Sequence, residues 1–189
     1  MAQGYTSIGH ETYLEWRTNT LGNSYDVDGS YGCQCWDYAA EFWWNVGFPA
    51  GYPLTGPNSS AYECWSVNRY NNISYDGTTY FELIDNLSDV KEGDVVVLNA
   101  DAFAQFGHIA FADEDYDGSG QLWCLGQNQG GTPLPQGGTP VTRNHLYMSS
   151  FLGAFRYIPW HTTPPTPTPT YEAHFPWVLY ASKFRNRGF

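Results

Sequence analysis

The chain of 189 residues suffices for one domain with a proper core plus an appendage, and its 42% hydrophobic content is that of a globular protein. A net charge of −11 argues against nucleic acid, whose phosphates select Lys and Arg, and suits divalent cations. No apolar run is long enough to span a membrane, and MAQGYTSIGHETY lacks the basic start and apolar core of a signal peptide, so synthesis in a cytosol with reduced cysteines is expected.

In chain order, residues 7–21 read as a helix with Ile8, Tyr13, Leu14 and Leu21 partly on one side and Gly22 as its cap. It leads into the acidic, turn-rich DVDGSYGCQCWD at 26–37. A second helix is expected over 35–46, where Trp36, Ala39, Ala40 and Trp43 recur at helical spacing before Gly47. A Pro/Gly/Ser-rich loop and a short helical patch at 61–70 follow. Strand-like runs then come at 80–84, 95–98, 108–112, 121–126, 139–142 and 151–158, separated by Gly, Asp and Asn turns. Helices first and mostly hairpin-connected strands afterwards read as α+β, with N-terminal helices packed on an antiparallel β-sheet.

The domain is expected to occupy residues 1–160. A Pro/Thr linker at 161–170 favours extended conformations, and a tail at 171–189 carries aromatic and aliphatic side chains beside Lys183, Arg185 and Arg187. Such a tail is expected to dock onto something, a protein surface before a purely anionic polymer.

Two chemistries are legible in the acidic loop. Asp26, Asp28, Ser30, Gly32 and Asp37 fall at the first, third, fifth, seventh and twelfth places of a calcium loop of about 12 residues, although position six is Tyr31 instead of glycine and the closing residue is Asp instead of Glu. Spacing alone leaves a cation site and a bare Asx turn both open. Cys35 sits at a helix N-terminus, where unpaired amides and the helix dipole favour a thiolate. His108 opens a short apolar strand after Gly107. The strand 121–126 ends in Gly126, Gln127 and Asn128, amides suited to fixing an imidazole tautomer, so Cys35, His108 and Asn128 form a candidate triad.

The runs DVDGSYGCQCWDYA, GDVVVL, FGHIAF, LWCLGQN and FLGAFRYI stand in an order and spacing that resembles the CHAP family, the cysteine, histidine-dependent amidohydrolases/peptidases of bacteriophage endolysins and bacterial wall hydrolases. The resemblance covers roughly residues 7–160 and rests most on Gln34-Cys35 and Gly107-His108. It implies a papain-like α+β fold and a peptidoglycan hydrolase that cuts an amide bond with Cys35 as nucleophile and His108 as base. It also implies a bound Ca2+, held by the side chains of Asp26, Asp28 and Asp37 and the main-chain carbonyls of Ser30 and Gly32. Many phage members carry a glutamate two residues before the asparagine of the third motif, where this chain has Gly126. The protein implied is made in the host cytoplasm and acts on the wall after release. Two other readings are a virion-associated tail lysin anchored to a phage structural protein by its C-terminal tail, and a catalytically silent, calcium-stabilised wall-binding module.

Overall fold

The computed structural model describes residues 12–49, 60–101 and 104–162. Helix α1 (Tyr13–Thr20) starts where two residues cap one another: Glu15 N–H donates to Thr12 Oγ1 at 3.2 Å, and Thr12 N–H donates to Glu15 Oε2 at 3.0 Å. Its inward face is Tyr13, Trp16 and Thr20, whereas Leu14, expected on the apolar side, is 65% exposed. The first residues of the expected helix, 7–11, lie outside the described residues. Helix α2 (Cys35–Asn45) matches the expected span to within a residue and buries Tyr38, Ala39, Phe42 and Trp43. Helix α3 (Glu63–Ser66) is the short patch within 61–70.

Strands β1 (Ser74–Tyr75) and β2 (Thr78–Thr79) form a small hairpin that no run of β-formers announces. The main sheet holds β3 (Phe81–Ile84), β4 (Val95–Leu98), β5 (His108–Ala112), β6 (Gln121–Gly126), β7 (Thr142–Tyr147) and β8 (Phe151–Tyr157). Their order is β3-β8-β4-β5-β6-β7, with every neighbouring pair antiparallel. The α+β architecture read from the sequence is therefore present, helices packing on a six-stranded antiparallel sheet.

One strand differs from its expected position: 139–142 is not a strand, and β7 begins at Thr142. Val141, the most β-prone residue there, is tied elsewhere. Its N–H donates to Asn23 O at 2.8 Å and its carbonyl accepts from Gly22 N–H at 2.9 Å, so it fastens the end of α1 instead of extending β7. β7 itself reads TRNHLY, a polar edge strand whose inward pattern is too weak to see without its partner.

β4 is buried along its whole length because both faces of the sheet are covered. Val95 and Val97 pack with Ile109, Phe111, Leu125 and Phe155 under the helices, while Val96 and Leu98 pack with Ala110, Ala112, Leu122 and Cys124 on the other side. The helix-side core is largely aromatic. Phe42 lies at its centre, with ring centroids of Trp160, Trp16, Phe111 and Tyr157 at 4.7, 5.0, 5.1 and 5.3 Å.

Trp160 belongs to α4 (Ile158–His161), which turns back onto this core at the end of the span expected for the domain. His161, expected in a linker, has its Nε2 3.4 Å from Asp94 Oδ1. The rest of the linker and the tail, from 163 on, lie outside the described residues. No helix among the described residues is long and apolar enough to cross a membrane.

Candidate active site

Tyr38 and Phe42 of α2 each meet Phe111 of β5 with centroids 5.1 Å apart. This contact sets the first turn of α2 over the start of β5, and thereby Cys35 beside His108. Gly107 is required for the approach: its φ is +71°, and a Cβ there would lie 2.5 Å from Leu98 O and 2.8 Å from Tyr62 Cβ.

Cys35 and His108 lie close enough to perturb one another's protonation. Burial alone would raise the thiol. The charge and hydrogen bond of His108, with the Ile109 and Trp36 amides, outweigh it and hold Cys35 below its ordinary value. For His108 the balance is the mirror image: burial lowers it, but the Cys35 charge, the Cys35 hydrogen bond and the Gln129 hydrogen bond leave it raised. The arrangement therefore favours a thiolate–imidazolium pair. Cys64 and Cys124, both buried, are instead pushed up by desolvation, and Cys33 is raised by the same cause. All four cysteines are free thiols.

The third member is not where the motif suggested. His108 Nε2 lies 3.0 Å from Gln129 Oε1, whereas Asn128 turns the other way and donates from Nδ2 to Gln34 Oε1 at 2.7 Å. The expectation that Asn128 orients the imidazole is corrected to Gln129. The orientation of the Gln129 amide is unambiguous, because its Nε2 donates to Cys124 O at 2.9 Å and Thr142 O at 2.8 Å. Its Oε1 can only accept from His108 Nε2–H, which leaves Nδ1 to face the Cys35 thiol. Gly126, where many phage lysins carry glutamate, makes the room: a Cβ at 126 would lie 2.6 Å from Gln129 Oε1. Nothing in the linear sequence separates Gln129 from its neighbouring amides; only its place across from β5 does.

Removal of this acceptor in Gln129→Ala is expected to lower turnover by about 100-fold while the thiol remains alkylatable. Gln129→Glu should also lose stability, by about 1–3 kcal/mol, because a carboxylate cannot donate to the two carbonyls the amide now satisfies. Thermal melts beside turnover assays of both variants check this.

The acidic loop lies against the same helix turn. Asp26, Asp28 and Asp37 each offer a carboxylate oxygen within 4.8 Å of the others. Oxygens held at 2.3–2.6 Å on opposite sides of one Ca2+ lie about 5 Å apart, so this donor set fits a hard cation. Tyr31, at the loop's sixth place, takes φ +62°, the left-handed turn that glycine supplies in an EF-hand. Asp37 accepts from Gln34 N–H and Val27 N–H, both at 2.8 Å, and so joins the loop to the helix that carries Cys35. Burial pushes its carboxyl up to about 6, those amides oppose the rise, and the neighbouring Asp28 adds to it. Ser30 donates its N–H to Asp28 Oδ1 at 2.7 Å, and Gly32 lies on the same loop.

The fold is endolysin-like. A wild-type endolysin, LysIME-EF1, superposes with a TM-score of 0.56 at 24% identity, over 79% of this chain and 64% of that one. The structure of Ly7917 with the hydrolyzing product of MDP matches at a TM-score of 0.47 and 20% identity, over 81% of this chain and 63% of that one. No family model matches the chain. Its sequence is homologous to the D-alanyl-L-alanine endopeptidase of Streptococcus phage B30, 36% identical over 121 residues, which are 64% of this chain and 25% of the relative. The chain thus matches about a quarter of that relative's length, and the resemblance to phage lysins read from its motifs stands as homology.

Proposed function

We propose that this protein is a peptidoglycan hydrolase of the endolysin kind, cleaving an amide bond of the bacterial wall with Cys35 as nucleophile. The observation that carries this reading is the Cys35–His108–Gln129 relay at the junction of α2 and β5. Homology to a phage endopeptidase supports the substrate class.

The Cys35 thiolate attacks the amide carbon, and the carbonyl electrons move to oxygen. The C–N bond then breaks as imidazolium Nδ1–H gives its proton to the leaving amine, which leaves a thioester on Cys35. His108, neutral again, takes a proton from water as that water attacks the thioester. The C–S bond breaks, releasing the carboxylate product and the thiolate. Gln129 accepts from Nε2–H throughout, so the ring turns neither before nor after proton transfer. The oxyanion is met at the start of α2, where the Cys35 N–H and the Gln34 side-chain amide are the candidate donors.

In the same reading Asp26, Asp28 and Asp37, with Ser30 and Gly32 through their carbonyls, hold Ca2+. The bound ion would offset three adjacent negative charges and tie the loop to the first turn of α2.

Mass spectrometry of digested wall fragments tests the reaction: a new alanine N-terminus marks an amidase, a new stem or bridge terminus marks an endopeptidase, and no new terminus sinks the proposal. EGTA is expected to lower the melting temperature by several degrees and reduce lysis, with Ca2+ restoring both better than Mg2+. Unchanged melting in EGTA, with no calcium by elemental analysis, would leave the loop an acidic turn.

A further inference from the structure

Three consecutive amides, Gln127, Asn128 and Gln129, leave the end of β6, and each is committed to a different partner. Gln129 serves the imidazole. Gln127 is fully buried and holds main chain: its Nε2 donates to Tyr25 O at 2.9 Å and Gln34 O at 3.0 Å, while its Oε1 accepts from Tyr25 N–H at 2.7 Å. Asn128 grips the Gln34 side chain, donating from Nδ2 to Gln34 Oε1 at 2.7 Å.

That contact decides which way the Gln34 amide faces. With Oε1 occupied by Asn128, the Gln34 Nε2 is directed to the other side, where one of its hydrogens reaches Tyr31 O at 2.6 Å. A primary amide has two N–H groups, so one remains beside the nucleophile's own helix turn. Gln34 is the residue before Cys35, and its backbone N–H is already held by Asp37 Oδ2 at 2.8 Å. Main chain and side chain are thus both restrained before substrate arrives, which is the preorganisation an oxyanion donor needs. Asn128 also adopts φ +54°, a left-handed conformation that asparagine tolerates better than most residues.

We propose that Asn128 is a positioning residue for the oxyanion side of the reaction, acting through Gln34 and independently of His108. This rests on the hydrolase reading above, since it assigns Gln34 the charge that develops on the scissile carbonyl. The turn after β6 therefore sets both halves of the chemistry from adjacent positions: Gln129 orients the base and Asn128 orients the oxyanion donor.

The test uses the full chain, soluble cross-linked peptidoglycan fragments and iodoacetamide. Asn128→Gly removes the side chain and keeps the left-handed backbone free of strain, so it separates the contact from the fold. Expected are a fall in kcat of about 10- to 100-fold with KM nearly unchanged, a melting temperature close to wild type, and an unaltered pH profile for alkylation of Cys35. Gln34→Ala should show the same pattern, and the double variant should be no slower than Gln34→Ala alone, because both changes remove one unit. Full activity in Asn128→Gly overturns the proposal. So does a shifted alkylation profile, which would put Asn128 on the imidazole, and so do additive losses in the double variant. Wild-type protein that releases no new termini would overturn the hydrolase reading itself, whereas an active wild type with an unaffected Asn128→Gly overturns only the inference about Asn128.

Discussion

Cys35→Ala is expected to abolish wall cleavage, lowering turnover by about 10⁴-fold or more while leaving the melting temperature near wild type. The size follows from the chemistry. Without the sulfur no thioester forms, and what remains is whatever a positioned water and the amides of α2 can do alone. Cys35→Ser should be almost as inactive, since a hydroxyl does not ionise under conditions that make Cys35 a thiolate. Cys33→Ser and Cys64→Ser should retain most activity: both side chains are buried, and burial raises their thiols instead of lowering them. The wild-type pH profile should be bell-shaped. A lowered Cys35 and a raised His108 make the thiolate–imidazolium form dominant between two limbs, with activity lost below the first as sulfur is protonated and above the second as the ring loses its proton. Turbidity clearance and release of amino groups, each measured against pH, check these outcomes. A lytic Cys35→Ala protein would falsify the mechanism outright.

Phe42→Ala should produce the largest loss of stability among single core changes, about 3–5 kcal/mol, which is on the order of 10 °C in melting temperature for a domain of this size. Phe42 is fully buried and touches rings from six elements of the helix-side core: Trp16 of α1, Trp43 of α2, Phe81 of β3, Phe111 of β5, Tyr157 of β8 and Trp160 of α4. These rings come from segments far apart in sequence, so the cavity cannot close without moving several elements at once. The variant should lose activity at temperatures where wild type retains it, because the same packing holds α2 against β5 and Cys35 against His108. Phe42→Leu keeps most of the volume and should cost about 1–2 kcal/mol. A melting temperature unchanged in Phe42→Ala would mean that this core is far more plastic than its burial implies.

Much of the architecture is local information. The spacing of Trp36, Ala39, Ala40 and Trp43 announces α2, and β4, β5 and β6 begin and end where the apolar runs do. The Gly107-His108 pair is legible too, and the structure supplies the reason: no Cβ fits between Leu98 O and Tyr62 at that point. The homology to a phage endopeptidase was likewise readable from short motifs, Gln34-Cys35 at a helix start and Gly107-His108 at a strand start.

What the linear chain could not display is which atoms meet. Three amides in a row look equivalent as letters, yet the turn after β6 sends Gln127 to main chain, Asn128 to Gln34 and Gln129 to His108. The choice depends on the vacancy left by Gly126 and on carbonyls of Cys124 and Thr142 that β6 and the start of β7 present. β7 escaped notice for a related reason, since a polar edge strand is stabilised by its neighbour and not by its own residues. The sequence by itself determined the helix that raises Cys35, the strand that begins with His108 and the acidic loop beside them. Only the tertiary structure decided which amide holds the imidazole, because a hydrogen bond is selected by distance and direction between segments, and neither exists until the sheet and helices have packed.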